Sequence, residues 1–244
     1  MIVLKTPAEV EKMVQGGKIA RRALTAAVQQ AKVGVSTLEL NQLAEQFILA
    51  AGAKPSFKGY EGFPAATCIN VNSGIVHGLP NDYRLQIGDV VSIDLGVLFA
   101  GLHTDVSESF EVEANNHCKF LATGKKALDL AVSACVVGNR IGDISWAIQR
   151  TVERVGYSVS IDLAGHGVGR ELHEDPFIEC FGQPGQGVLL KAGMTLAVEV
   201  IYQQGRPELV LAEDGWTLRT KDGSLSGLFE KSVAVTGRGV LVLT

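Results

Sequence analysis

The 244-residue sequence lacks a surplus of basic residues, because its 22 lysines and arginines are outnumbered by 26 aspartates and glutamates and the net charge is −4. A protein that binds nucleic acid through its phosphates needs such a surplus, so we expect no nucleic-acid binding. No apolar run approaches the roughly 20 residues of a membrane-spanning helix, and we expect no membrane segment. Hydrophobic residues make up 46% of the chain, which excludes a disordered protein.

Cysteine is also scarce. The four cysteines form neither a CxxC pair nor the spacing of a disulfide framework, and they are Cys68, Cys118, Cys135 and Cys180. Isolated thiols of this kind are typical of a reducing compartment. Charged residues from Lys5 onwards interrupt the amino-terminal stretch, so no signal-peptide core fits there. We therefore expect a cytoplasmic protein.

Helix-start signals open the chain. Thr6 and Ser36 each stand three residues before a glutamate, which is the spacing of a helix-capping box. Along the rest of the chain, apolar residues at helical spacing predict helices, and β-branched runs predict strands. The predicted elements are helices over residues 7–32, 36–52, 118–137 and 143–155, and strands over residues 90–95, 104–112 and 196–201.

Two spacings indicate an internal duplication. Gly34 and Gly138 are 104 residues apart (138 − 34), and Asp94 and Glu199 are 105 residues apart (199 − 94). Two matches at nearly the same offset predict a repeated helix–helix–strand unit, and hence an α+β fold with a site in the cleft where the halves meet. The predicted catalytic domain spans residues 1–244, with halves at about 1–115 and 116–244.

Four carboxylates are candidates for a shared site. Asp94 and Glu199 occupy matching positions in the two halves, each within an apolar strand. A lone carboxylate at a strand end usually caps a turn, but two buried equivalents must be paired or metal-bound to offset their desolvation. Asp105 follows Asp94 across a turn, which predicts both at one end of a hairpin. Glu230 is predicted at the start of the last strand, and either of these two alone would be a solvated surface acid.

Three histidines stand in glycine- or proline-flanked segments that are predicted to be loops. His166 lies among three glycines, where the spacing does not fit a dinucleotide fingerprint and the P-loop lysine is missing. The glycines instead favour a close approach to an ion or substrate. His77 and His173 have similar surroundings and are predicted to be functional. His103 and His117 lack them and are assigned no role.

The candidate residues form an oxygen-rich ligand set. Four carboxylates and one imidazole suit two divalent ions better than a structural zinc. Sites with two divalent metal ions occur in phosphatases, nucleases and aminopeptidases. The ligand types alone do not distinguish between these classes of enzyme. The GxSxG motif of serine hydrolases is absent, and no cysteine stands in a recognisable nucleophile signature.

The order Asp94, Asp105, His166, Glu199 and Glu230 resembles the ligand set of the pita-bread metallopeptidases. Within that fold the chain resembles the methionine aminopeptidases. It does so through GYEGFP at 59–64, VHGLP at 76–80, GHGVG at 165–169, HEDP at 173–176 and DGWTLRTKDGSLS at 214–226. The length leaves no room for the additional domain of prolidase-like relatives. Only 33 residues separate His166 from Glu199, too few for the helical insertion of eukaryote-type enzymes, so the resemblance is to the compact type I form.

The resemblance implies an antiparallel sheet covered by helices in two pseudo-symmetric halves. It implies removal of the N-terminal methionine from nascent proteins and peptides by a metal-bound hydroxide. Two ions of cobalt, manganese, iron or zinc would be held. Asp94 and Asp105 would ligate one ion, and His166, Glu199 and Glu230 would complete the pair, with Asp105 and Glu230 as bridges.

The resemblance also assigns catalytic and substrate-binding roles. Glu199 would transfer the proton of the attacking water. His173 would hydrogen-bond the scissile peptide and stabilise the tetrahedral intermediate, and His77 would contact the substrate amide near the leaving side. The methionine side chain would enter an apolar pocket with one thiol, formed by Phe57, Tyr60, Phe63, Cys68, Leu172 and Trp216.

Two positions depart from the family pattern. Val200 stands where proline is common and Lys231 where histidine is common, and both are expected to alter the back of the pocket or its electrostatics. Two alternatives stay open: an Xaa-Pro or other pita-bread aminopeptidase, and a peptide-binding relative without catalysis. The expected partners are nascent-chain N-termini, with transient ribosome association.

Overall fold

Side-chain caps begin the first two helices. The structure, a computed structural model, describes residues 2–244. Thr6 with Glu9 and Ser36 with Glu39 form reciprocal capping boxes, so both predicted helix starts are confirmed. The helices are α1 (Pro7–Gln30), α2 (Thr37–Ala50), α3 (Cys118–Ser133) and α4 (Ile141–Glu153), with a 3₁₀ turn at Tyr60–Gly62.

Antiparallel strands make up the rest of the fold. The strands are β1 (Lys54–Pro55), β2 (Cys68–Val71), β3 (Gly74–Val76), β4 (Val90–Phe99), β5 (Leu102–Glu111), β6 (Ser158–Val159), β7 (Ala164–Gly167), β8 (Glu174–Glu179), β9 (Thr195–Gln203), β10 (Leu209–Leu211), β11 (Leu218–Thr220), β12 (Ser226–Thr236) and β13 (Gly239–Val242). Ten of them form one sheet in the order β1-β4-β5-β12-β9-β7-β8, with β2 on β4, β6 on β9 and β13 on β12. The other three form a small sheet in the order β10-β11-β3.

Two long strand pairs form the centre of the large sheet. β4 pairs with β5, β9 pairs with β12, and the inner strands β5 and β12 pair with each other. In each half two helices precede the strand pair along the chain, which is the predicted helix–helix–strand order. The α+β class and the two pseudo-symmetric halves are therefore confirmed.

The helices cover one face of this sheet. Side chains of α1 and α2 pack with Ile93, Leu95 and Val106 in one buried cluster, and those of α3 and α4 pack with Val198 and Val200 in another. Side chains alternate along a strand, so the residues between these positions point to the opposite face. That uncovered face carries the candidate site. Within residues 2–244, no helix is long and apolar enough to cross a bilayer.

Candidate metal centre and substrate pocket

Strand pairing places three of the four candidate carboxylates in one row across the sheet. Directly opposite residues in paired strands share a face, and here Asp94 opposes Ser107, Ser107 opposes Glu230, and Glu230 opposes Glu199. Cys68 opposes Asp94 on the outer side and extends the row to β2. The row thus crosses β2, β4, β5, β12 and β9.

A second row, two residues further along each strand, supplies the other two ligands. Asp105 opposes Gly96, and its backbone exchanges hydrogen bonds of 2.8 and 2.9 Å with the hydroxyl of Ser232. Ser232 opposes Ala197, which in turn opposes His166. The small side chains between the ligands leave open space above the sheet. We call the five candidate ligands the floor: Asp94, Asp105, His166, Glu199 and Glu230.

The floor is a concentration of buried negative charge. Asp105, His166 and Glu230 are buried, and Asp94 and Glu199 are nearly so. Desolvation raises the pKa of Asp94, Glu199 and Glu230 well above the ordinary values, and repulsion from neighbouring carboxylates adds to the effect. Desolvation also raises the pKa of Asp105, to about 7. The protein by itself therefore disfavours ionised carboxylates at this place.

His166 presents a neutral ring nitrogen to this cluster. Its Nδ1 lies 2.8 Å from the carbonyl oxygen of Gly167, which can only accept, so Nδ1 carries the proton and Nε2 keeps its lone pair. Nε2 is 3.6 Å from Oε1 of Glu199. Burial lowers the pKa of His166 to about 3, so the imidazole stays neutral.

These features fit divalent metal ions. Ligand atoms of Asp105, His166 and Glu230 all lie within 4.8 Å of one another. Oδ1 of Asp94 and Oε1 of Glu230 are buried without a hydrogen-bond partner in the described structure. Buried carboxylates without partners are costly, and positive ions offset that cost. The donor set of carboxylates and a neutral imidazole is one that divalent transition metals bind.

The position of the ligands within their elements corrects the sequence analysis. Asp94, Asp105 and Glu230 were predicted at strand ends, but each lies inside a strand of ten or eleven residues. Likewise His166 lies on β7 and not in a loop. The short predicted strands reflected the apolar runs, whereas the actual strands continue through polar residues that face the open side of the sheet.

The predicted methionine pocket stands beside the floor. Phe57, Phe63, Cys68 and Leu172 form a buried cluster, against which Tyr60 and Trp216 pack. The rings of Phe63 and Trp216 meet edge to face with centroids 5.2 Å apart. Burial raises the pKa of the Cys68 thiol, so the thiol stays neutral among the carboxylates. We call this group the wall: Phe57, Tyr60, Phe63, Cys68, Leu172 and Trp216.

The two predicted catalytic histidines lie at the mouth of the cavity. Nδ1 of His173 is 3.1 Å from the hydroxyl of Tyr60, and its ring meets that of His166 edge to face at 4.4 Å. His77 follows β3 with a positive φ of 57°. Both rings are accessible to solvent, yet surrounding protein atoms desolvate them enough to lower both pKa values. Both therefore tend to be neutral near pH 7.

All thirteen predicted site residues line one cavity of about 130 Å³. The cavity is also lined by Val76 and Glu61, which the sequence analysis did not assign. Val76 precedes His77 and gave no separate signal. Glu61 lies inside the GYEGFP motif, but its placement depends on a positive φ of 48° that its residue type does not indicate.

The two departures from the family pattern lie on the other side of the sheet. Val200 is fully buried in the core under α3 and α4, and Nζ of Lys231 donates a hydrogen bond of 3.1 Å to Asp129 on α3. Each alternates with a floor glutamate and so points away from the cavity. Neither side chain lines the cavity, so any effect on the pocket or its electrostatics would be indirect and stays a prediction. His103, assigned no role, bonds Ser56 through Nδ1 and does not line the cavity.

Comparison with known proteins decides the family. The profile of metallopeptidase family M24 matches residues 11–237. The chain belongs to this family. It is 42% identical to a methionine aminopeptidase of Clostridium perfringens over 246 residues, covering 100% of this chain and 99% of the relative. The predicted family and enzyme class, a metallopeptidase and hydrolase, are confirmed.

Solved structures support the compact subtype. A methionine aminopeptidase from Thermotoga maritima superposes with a TM-score of 0.97 and 41% identity, covering 100% of this chain and 99% of that chain. A prolidase from Pyrococcus furiosus gives a TM-score of 0.81 and 26% identity, and the match covers 99% of this chain but only 65% of that one. The fold is thus shared with both, but only the Thermotoga match of these two covers nearly the whole of both chains.

Proposed function

We propose that the chain removes the N-terminal methionine from proteins and peptides in a metal-dependent reaction. One observation carries the proposal: the five-residue floor and the apolar, aromatic wall, which includes the Cys68 thiol, line one cavity. Such a wall suits an unbranched thioether side chain. The two related halves act as one catalytic domain, because ligands come from both.

Each floor residue has a proposed role. Asp94, Asp105, His166, Glu199 and Glu230 would hold two divalent ions. When bound, such ions polarise a carbonyl group and make a water molecule a nucleophile near neutral pH. Glu199, less buried than Glu230, would accept a proton from the attacking water on its carboxylate and pass it to the departing nitrogen.

The mouth residues orient the peptide. His173 has Nδ1 engaged with Tyr60, which leaves Nε2 to hydrogen-bond the scissile peptide and stabilise charge that develops on it. His77 contacts the amide on the leaving side. The wall holds the methionine side chain and excludes water from it.

The substrates are N-termini of nascent chains and free peptides. We propose the cytoplasm as the compartment, because new chains with a free methionine arise there and all four cysteines are unpaired thiols. Transient association with the ribosome would bring the enzyme to these chains. The net charge of −4 disfavours stable binding to nucleic acid.

The test is turnover by metal-free protein reloaded with manganese, iron, cobalt or zinc in turn. We expect release of methionine from Met-Ala-Ser with at least one ion and none with chelator present. Leu-Ala-Ser and an Xaa-Pro tripeptide serve as matched substrates. Faster cleavage of either peptide would indicate an aminopeptidase that prefers another N-terminal residue. Peptide binding without turnover would indicate a relative that has lost catalysis.

A further inference from the structure

Glu61 is the one charged side chain at the cavity that the proposed mechanism does not use. Among the described residues that line the cavity there are five carboxylates and no lysine or arginine. Two divalent ions would balance the four carboxylates of the floor. Glu61 is then the one carboxylate among these lining residues that the ions do not balance.

The carboxylate of Glu61 is free to meet a ligand. The side chain is exposed and makes no hydrogen bond or ion pair within residues 2–244. Lys58, three residues before Glu61 in the chain, contacts Glu45 at 2.6 Å, and Arg170 contacts Glu9 at 2.8 Å. Within residues 2–244, no lysine or arginine forms an ion pair with Glu61.

The backbone holds Glu61 at the mouth. Its φ of 48° lies in the left-handed region between Gly59 and Gly62, whose φ values are also positive. Two hydrogen bonds close this turn: the N–H of Gly59 donates to the carbonyl of Phe63 at 2.8 Å, and the N–H of Phe63 donates to the carbonyl of Tyr60 at 2.9 Å. Non-glycine residues in this region are uncommon and concentrate at functional loops. The turn therefore fixes where Glu61 stands.

Glu61 lines the cavity together with His77, which the proposed function places on the side where the peptide chain leaves. It lines the same cavity as His77 and His173, and its charge acts on both imidazoles, where it opposes the lowering of their pKa by burial. His77 is the residue proposed to contact the amide after the cleaved bond. A substrate residue shortly after that bond consequently passes within electrostatic range of Glu61.

We propose that Glu61 determines a preference for substrates with a positively charged side chain within the first residues after the cleaved bond. The proposal rests on the proposed function, since it concerns peptides bound in that cavity. The attraction acts in partly solvated surroundings, so the expected effect is moderate and weakens with salt.

The experiment compares kcat/KM for Met-Ala-Lys-amide, Met-Ala-Gln-amide and Met-Ala-Glu-amide with the metal-loaded protein. At low ionic strength we expect the lysine peptide to be cleaved about 3- to 10-fold faster than the glutamate peptide. Glu61→Gln should reduce this ratio to below twofold, Glu61→Lys should invert it, and 0.5 M salt should diminish it as screening predicts. The ratio compares peptides on one preparation, so partial misfolding does not change it.

Glu113 offers a matched control. It is another exposed glutamate with a φ of 48°, and it does not line the cavity. Glu113→Gln should keep the wild-type ratio. Equal cleavage of the three peptides by the wild type, or a ratio that persists in Glu61→Gln, would overturn the inference alone. Absence of turnover on all three, with metal bound, would overturn the proposed function and this inference with it.

Discussion

The floor of the cavity lies on five neighbouring strands, whereas its wall is built largely from loops and from rings that pack edge to face. The floor ligands keep their spacing because paired strands fix which residues oppose each other. The wall aromatics come from the 57–63 loop and from the segment around Trp216. Their positions depend on local turns and on contacts between side chains.

This difference separates chemistry from shape. The floor gathers buried carboxylates whose charge the protein alone disfavours, so its residues contribute to reaction at a cost to folding. The wall buries apolar surface and so contributes to folding and substrate binding together. Substitutions in the two regions should therefore fail in different ways.

The largest expected effect is on the floor. Glu199→Gln should lower kcat by roughly 10² to 10⁴, because the amide cannot accept the proton. The melting temperature of the metal-free protein should not fall, since a neutral amide is less costly to bury than a carboxylate. Steady-state kinetics and thermal unfolding check these two outcomes. Glu179→Gln, an exposed change on β8, is the control, and near-normal turnover in Glu199→Gln would contradict the assigned role.

The second-largest effect is expected at an ion pair that supports the segment carrying His173. Lys5 and Glu174 form a buried ion pair, with side chains 1% and 7% exposed, directly beside His173. Glu174 also accepts hydrogen bonds from the backbone N–H groups of Arg170 and Glu171. The ion pair therefore connects the segment before α1 to the loop that carries His173.

Lys5→Met should lower the free energy of unfolding by about 3–5 kcal/mol, because it leaves the Glu174 carboxylate buried and unpaired. Denaturant titration measures this loss. Combining it with Glu174→Gln should restore most of the stability, since no charge is then left without its partner. A loss below about 1 kcal/mol for Lys5→Met would show that the pair is dispensable.

A smaller effect is expected at the wall. Trp216→Ala removes the edge-to-face partner of Phe63 and should raise KM for methionyl peptides about 2- to 12-fold, the scale of an aromatic contact of about 0.5–1.5 kcal/mol. Metal affinity, measured by calorimetry, should stay unchanged. Trp146→Ala is the matched control, because Trp146 stacks on Arg150 on the surface of α4, outside the cavity. A fall in kcat without a change in KM would place Trp216 in the reaction itself.

The smallest effect depends on pH. Hydrogen bonds from Thr6, and then from Arg170, lower the pKa of Glu9 from 4.5 to about 2. As the pH falls, the Glu9 carboxylate is therefore protonated in the unfolded chain before it is protonated in the folded protein. The contribution of Glu9 to stability is thus complete above about pH 4.5 and is lost towards pH 2. The melting temperatures of the wild type and Glu9→Gln should differ at pH 7 and converge near pH 2. Glu11→Gln, exposed on the same helix, should show no such convergence.

Local features were predictable because they depend on neighbours in sequence. The capping boxes at Thr6 and Ser36 act over three residues, and both helix starts agree with the structure. The chemical types of the floor ligands were readable for the same reason, since they stand in apolar or glycine-rich strings. Strand ends were misplaced at Asp94, Asp105 and Glu230, because polar residues on the open face of a sheet look like the end of a strand.

By itself, the sequence determined the two capped helix starts, the repeated order of elements, the candidate residues of the floor and the family motifs. Only the tertiary structure decided that Asp94, Glu230 and Glu199 share one cross-strand row. It likewise decided that Asp105 and His166 lie in the neighbouring row and complete the floor. Register between strands far apart in sequence depends on pairing, which single residues do not specify. The same holds for Glu61, whose place at the mouth comes from a left-handed backbone conformation that the folded turn imposes.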